Sequence, residues 1–179
     1  MRADNPGEDN TMAYTIYDAS IPVLTRTLTN LAKILDKAVA QAKAEDKPLT
    51  DLLEARLAPD MKPFPFQIQS ASDAAKGCAA RLAGIEAPSM PDTETTFAEL
   101  HARLQKTIDF LNTIKPEQLA GAEDRAITLK FPSGEMKFTG RDFLAGFSLP
   151  NFFFHVTTAY AVLRHKGIAI GKMDFLGGA

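Results

Sequence analysis

The fold is decided by the stretch Leu149-Pro-Asn-Phe-Phe-Phe-His-Val-Thr-Thr-Ala-Tyr-Ala-Val-Leu-Arg-His165. Its apolar residues recur at helical spacing, at Phe152, Val156, Ala159 and Leu163. This period predicts one long helix with a buried face. Pro150 suits the first turn, where a missing N–H costs nothing. Gly167 follows the stretch and can form a left-handed C-terminal cap.

The first of three earlier helical patterns is predicted to begin at Asp18 or Ser20 and to end near Ala44. Its apolar residues are spaced by four and three, at Leu24, Leu28, Leu31, Leu35, Ala38 and Ala42. A seam of this kind is typical of a bundle helix. A short helix capped by Thr50 is predicted to follow, running through Leu57 and ending at Pro59.

Two more long helices are predicted in the middle of the chain. The second begins near Pro65, ends at Gly84 and has small residues in its seam, which is Ile68, Ala71, Ala75, Cys78 and Leu82. The third is capped by Asp92 or Thr93, ends at Lys115-Pro116 and buries Phe97, Leu100, Leu104, Ile108 and Leu111. Both patterns have the 3.6-residue period of an amphipathic helix.

A change of period indicates a small hairpin before the last helix. Apolar and polar residues alternate over 127–131 and again over 136–138, on either side of a Pro-Ser-Gly turn. Thr139 to Asp142 then matches a capping box. Pro150 is expected to divide the fourth helix into Arg141–Ser148 and Pro150–His165, and the tail at Phe175 and Leu176 is expected to pack back on the bundle.

These elements predict a mainly all-α fold, a four-helix bundle with a short β-hairpin between its third and fourth helices. Residues 13–179 are predicted to form one domain, because a chain of 179 residues fits one core. Residues 1–12 are polar and contain Pro-Gly, so we expect a disordered extension there.

Composition excludes several classes of function. A net charge of −2 without a basic stripe argues against nucleic-acid binding. No apolar run reaches the ~20 residues of a membrane-spanning helix. The single cysteine excludes an internal disulfide framework, so we expect a cytoplasmic protein.

Several motifs together resemble a bacterial family of unknown function within the DinB/YfiT-like superfamily of proposed metalloenzymes. They are residues 54–61, Gln67 and Gln69, residues 149–155, residues 159–165 and residues 171–176. The resemblance covers about residues 13–176. It implies a DinB-like four-helix bundle, often dimeric, in agreement with the helices predicted from periodicity.

The resemblance also implies where a metal would lie. Many members of the superfamily bind a divalent metal through one histidine on helix two and a His-x-x-x-His pair on helix four. Here the pair corresponds to Asn151 and His155, and helix two offers only Gln67 and Gln69. Amides are weak ligands for Zn²⁺, so we expect no metal cofactor, with a divalent ion such as Zn²⁺ or Ni²⁺ as the lesser alternative.

The candidate ligand-binding residues are therefore Asn151, His155, Gln69 and Tyr160. His155 is interpreted either as a surviving ligand or general base, or as a histidine at the core edge whose nitrogens are satisfied. Tyr160 either binds a ligand or packs its ring. Cys78, in a small-residue seam, is expected to be an inert buried thiol.

Three functions remain open from the sequence. The favoured one is a metal-free module that binds a small-molecule ligand or a partner, and we predict that it forms a homodimer. The alternative is a divalent-metal-dependent hydrolase or thiol transferase that uses His155. The third is a structural dimer formed through the Phe-rich run 152–154, although that run is expected to pack on the core and the hairpin.

Overall fold

The chain folds as a mainly helical bundle with one hairpin, in a computed structural model that describes residues 14–178. The predicted disordered extension lies outside the described residues. The long helices are α1 (Ile21–Ala44), α3 (Phe64–Ala83), α4 (Phe97–Thr113) and α6 (Leu149–His165). The short ones are α2 (Thr50–Leu53), α5 (Gly140–Asp142) and α7 (Lys172–Leu176). None of the helices in the described range is both long and apolar enough to cross a membrane.

The predicted seams form the core. Helix α3 packs against α6 on one side and α4 on the other, and α1 packs against α4. The seam residues of α1 are all buried, at Leu24, Leu28, Leu31, Leu35, Ala38 and Ala42. Small residues at Ala71, Ala75 and Cys78 are fully buried as well. Side chains this small allow close approach of the neighbouring helices.

Two predicted helix boundaries are wrong. Helix α4 is capped by Thr96 rather than by Asp92 or Thr93, because Thr96 and Glu99 form a reciprocal capping box. The short helix α2 ends at Leu53, before the predicted end at Pro59. The cap before α1 is Ser20, as predicted, but its hydroxyl donates to the Ile16 carbonyl at 2.6 Å and caps no helical N–H.

The connection between α3 and α4 is held against both helices. We call residues 87–96 the strap. The buried guanidinium of Arg103 on α4 binds Asp92 and Glu94 of the strap, at 2.9 and 3.0 Å, and Asp73 of α3 at 2.7 Å. Gln69 donates to the Glu94 carboxylate at 3.0 Å. Charged hydrogen bonds thus fix a proline-containing connection that has no regular backbone pairing of its own.

The hairpin forms where it was predicted, from β1 (Ile127–Phe131) and β2 (Gly134–Phe138). The strands are antiparallel, with Ile127 opposite Phe138. The aromatic support of the hairpin comes from Phe143 and Phe147, whose rings lie about 6 Å from those of Phe138 and Phe131. The run 152–154, which was expected to provide it, instead buries Phe152 and leaves Phe154 exposed.

The last helix is continuous rather than divided at Pro150. Between α5 and α6 the chain forms a π-helical turn, Phe143–Ser148, which we call the π segment. Its flanking residues Asp142 and Leu149 keep right-handed helical angles. Proline lacks an N–H and crowds the carbonyl four residues earlier. We attribute the wider turn before Pro150 to this crowding, since π turns relieve strain of that kind within helices.

Candidate functional site

An open groove of about 520 Å³ lies between α3, β1, the π segment and α6. Helix α3 contributes Ser70, Asp73, Ala74 and Arg81. The other wall carries Phe143, Phe147, Ser148, Asn151 and His155. Residues 128–131 of β1 form the third side. Of the clefts that the described residues form, this one contains both members of the predicted helix-four pair, so we take it as the candidate site.

The groove follows two antiparallel helical segments. Arg81 lies over the ring of Phe143 at one end, with its guanidinium carbon 6.0 Å from the ring centre. Gln67 contacts His155 at the other end. Gln67 and Arg81 are fourteen positions apart on α3, which corresponds to roughly 20 Å at 1.5 Å per residue. The groove therefore separates a cationic end from an imidazole end.

Gln67 determines which nitrogen of His155 is available. The Gln67 amide nitrogen donates to the Lys62 carbonyl at 3.3 Å, so its amide oxygen faces His155. That oxygen lies 2.9 Å from Nδ1 of His155. Because an amide oxygen only accepts, Nδ1 must carry the hydrogen. Nε2 of the neutral ring is then the acceptor, and among residues 14–178 it has no hydrogen-bond partner.

His155 is held in its neutral form by its surroundings. The ring is half-buried and lies beside the rings of Phe66 and Phe154, with centres 6.0 and 5.2 Å away. This burial lowers the pKa of His155 below its ordinary value of 6.5. At neutral pH the side chain is therefore uncharged, with Nε2 free to accept a proton or a hydrogen bond.

The side chains around His155 do not fit a divalent metal. In the described part of the chain, no three His, Cys, Asp or Glu residues are grouped closely enough to hold one. The oxygen of Gln67 already accepts the Nδ1 hydrogen, which leaves one imidazole nitrogen and the Asn151 amide as donors. Zn²⁺ prefers four ligands drawn from thiolate, imidazole and carboxylate groups. The donors at His155 thus include one ligand of a preferred type, where a zinc site would need at least three.

Arg81 lines the other end of the groove, and its guanidinium fills the space beside Gly77, which has no side chain. A Cβ built on Gly77 would lie 2.5 Å from an Nη atom of Arg81. The guanidinium therefore lies back along its own helix, over a position without a side chain. Within residues 14–178, no carboxylate forms an ion pair with Arg81.

The structure brings together two of the four predicted ligand-binding residues. Asn151 and His155 both line the groove. Gln69 points instead to the strap, where it binds Glu94. Tyr160 packs edge-on against Phe175 of α7, with ring centres 5.9 Å apart. Gln67, named beside Gln69 for helix two, is the glutamine that contacts His155.

Sequence reasoning missed the α3 side of the groove. Ser70, Ala74, Gly77 and Arg81 follow one another at spacings of four, three and four. That period defines one face of a helix, and it contains a serine and an arginine where the buried seam contains apolar residues. The sequence therefore contained the pattern of this helix face, although it did not indicate which element packs opposite that face.

Cys78 belongs to the core behind the groove. The side chain is fully buried, and burial raises the pKa of its thiol to about 11. The thiol is therefore protonated at neutral pH and is not a nucleophile.

Comparisons with known proteins identify relatives of this chain. A family model described as "Domain of unknown function (DUF1993)" matches residues 16–176. The chain is also similar to the crystal structure of a DinB family member protein from Shewanella denitrificans, with 37% sequence identity and a TM-score of 0.85. That similarity covers 91% of this chain and 92% of the other. Among curated proteins, no match was found.

Proposed function

The chain belongs to the DinB-like DUF1993 family of unknown function, and on that premise we propose that it binds a small organic molecule in the groove without a metal. The observation that carries the proposal is the arrangement of His155. Its Nδ1 hydrogen is donated to Gln67, which leaves Nε2 as an acceptor, and His155 lines the groove together with Asn151. A half-buried acceptor without a partner is a group that a ligand hydroxyl or amide can satisfy.

Ligand screening by NMR tests this proposal. We expect small polar aromatic compounds to shift backbone amide resonances of the groove, and we expect His155→Gln and Asn151→Leu to weaken those shifts. Tyr160→Phe is the control, because Tyr160 lies against α7. Ligand shifts that survive both groove substitutions, or that vanish in Tyr160→Phe, would overturn the placement. The predicted binding role of Tyr160 would regain support from the second result.

The metal-free character is part of the proposal. A divalent-metal-dependent hydrolase or thiol transferase would need ligands beyond His155, and the nearest oxygen, from Gln67, is already hydrogen-bonded. Dialysis against Zn²⁺ and Ni²⁺ followed by mass spectrometry of the metal content tests this. About one equivalent in the wild type, lost in His155→Ala, would restore the metalloenzyme alternative.

A homodimer is a second proposal, supported by exposed aromatic rings beside the groove. Phe66 and Phe154 flank His155 and are 37% and 57% exposed. A second copy covering these rings would remove apolar surface from water. We expect sedimentation velocity to give a dimer that Phe154→Glu dissociates and that Met173→Glu, on exposed α7, leaves intact. A monomeric wild type at high concentration would refute the homodimer. The cytoplasmic location stays a prediction from the single cysteine.

A further inference from the structure

We propose that the ligand of the groove carries a carboxylate, which Arg81 binds. This inference rests on the proposed ligand-binding function. It concerns the end of the groove opposite to His155, and it assigns a role to Arg81 and Gly77.

The first argument is the position of the Arg81 guanidinium, which lies over Gly77. Glycine inside a helix is less favourable than alanine, because it loses more conformational freedom on folding. Apart from the adjoining backbone, the only atoms within 4 Å of a Cβ at residue 77 belong to the Arg81 guanidinium. A favourable contact with the helix dipole would not need this gap, since any arginine in a last turn provides it. The presence of a glycine at residue 77 is therefore explained by the space it leaves for the Arg81 guanidinium.

The charge balance of the groove is the second argument. Its one carboxylate, Asp73, is bound by Arg103 at 2.7 Å and by Lys76 at 2.9 Å, so its charge is compensated. Lys130 also lines the groove, but its side chain is 81% exposed and has only a loose contact of 3.9 Å with Glu135. His155 is neutral. Arg81 and Lys130 are thus the cations that remain for a ligand to balance, and Arg81 is the one that lies over the apolar ring of Phe143.

The surroundings of Arg81 favour a carboxylate over a phosphate. Arg81 lies in the last turn of α3, where the helix dipole is negative and opposes a doubly charged anion. A planar guanidinium matches one carboxylate in a bidentate way. Beside it the stacked rings of Phe143 and Phe147, with centres 6.1 Å apart, offer an apolar wall. The ligand that fits is a monoanion with an apolar or aromatic body.

Matched acids and amides test the charge requirement. Phenylacetate and hexanoate are titrated into the full chain against phenylacetamide and hexanamide, with binding followed by amide chemical shifts in two-dimensional NMR. We expect each acid to bind more tightly than its amide. Arg81→Gln should weaken binding of the acids about tenfold and leave the amides unchanged, because it removes a charge-assisted pair. Arg26→Gln, an exposed arginine on α1 outside the groove, is the control.

Gly77→Ala provides a second, independent test that keeps the arginine. The added methyl group displaces only the flexible end of Arg81. We expect the variant to fold at least as stably as the wild type and to bind the acids several-fold more weakly. Weakened binding in a protein that is no less stable cannot be attributed to misfolding.

The outcomes separate the two proposals. Acids and amides that bind the groove equally well, with no effect of Arg81→Gln or Gly77→Ala, would overturn the carboxylate inference and leave the ligand-binding proposal standing. If none of the four compounds shifts a groove resonance of the wild type, both proposals fail.

Discussion

Gln67 fixes the chemistry of His155 through a single hydrogen bond. Its amide oxygen accepts from Nδ1, and its amide nitrogen is occupied by the Lys62 carbonyl. The sequence named Gln67 and Gln69 as the candidates on this helix. Two residues apart on a helix are about 200° apart in direction, so both cannot face His155. Which of them does so depends on the rotation of α3 against α6, which the sequence alone does not specify.

The first prediction concerns the protonation of His155. Burial lowers its pKa in the folded state, so NMR titration should give a midpoint below 6.5. Because the unfolded chain takes up this proton first, His155 should reduce stability as the pH falls through 6.5, and the loss should level off below the folded pKa. Long-range ¹⁵N spectra should show the hydrogen on Nδ1.

Replacing the neutral acceptor by a charged one should reverse the shift. In Gln67→Glu a carboxylate would face Nδ1, and an opposite charge at this distance favours the imidazolium form. We expect the pKa of His155 to rise relative to the wild type. Gln105→Glu adds the same charge at an exposed position on α4 and should leave the titration unchanged. An identical His155 pKa in all three proteins would show that the Gln67 contact is absent in solution.

Two glycines should respond oppositely to alanine. Gly77→Ala should raise the free energy of unfolding by up to about 1 kcal/mol, because only the end of Arg81 must move. Gly140→Ala should lower it by about 1–3 kcal/mol, because the new Cβ would overlap the backbone carbonyl of Ala122. Urea denaturation of the two variants and the wild type measures both changes in the free energy of unfolding. A stabilised Gly140→Ala would contradict the close packing of α5 against Ala122.

At the scale of elements, periodicity predicted the helices but not how they begin or change pitch. The seams of α1 and α3 were readable because burial imposes a repeat on side chains. The π segment imposes no such repeat, since it changes the backbone hydrogen bonds over only six residues. The sequence pattern indicated Asp92 or Thr93 as the cap of α4, and the structure has Thr96 instead. Only Thr96 has a glutamate three residues later that also faces its backbone.

The corrected start of α4 leads to the fourth prediction. Thr96→Ala should lower the free energy of unfolding by about 1 kcal/mol, because it removes the acceptor of the Glu99 backbone N–H. Thr93→Ala is the matched control, since Thr93 is exposed and precedes the helix. Its effect should stay within about 0.5 kcal/mol. The prediction fails if Thr93→Ala proves the more destabilising substitution in urea or thermal unfolding.

At the scale of the whole molecule, the site depends on contacts between distant parts of the chain. The spacing of Asn151 and His155 was visible in the sequence because both lie on one helix. The contact of Arg81 with Phe143, and the support of the hairpin by Phe147, join segments that only packing brings together. The same holds for Arg103, which the periodic reading of α4 did not single out although it links that helix to α3 and the strap.

The strap should make the whole fold sensitive to acid. Burial acts to raise the pKa of Glu94, but hydrogen bonds from Gln69 and Arg103 outweigh it and hold this pKa below its ordinary value of 4.5. A lowered carboxyl pKa contributes stability above pH 4.5 that is lost as the pH falls through the folded value. We therefore expect the stability of the wild type to fall below pH 4.5 partly through Glu94.

Glu94→Gln tests this prediction, because glutamine has nearly the size of glutamate but carries no charge. At pH 7 it should lower the free energy of unfolding by about 1.5–3 kcal/mol, the range for hydrogen bonds to charged groups. The difference from the wild type should shrink between pH 5 and pH 3, measured by urea denaturation at each pH, since protonation removes the same charge from the wild type. Asp92→Asn is the control, because Asp92 binds the same arginine but is half-exposed, so its effect should stay below about 1 kcal/mol. A constant difference across this pH range would show that Glu94 stabilises the strap by its shape and not by its charge.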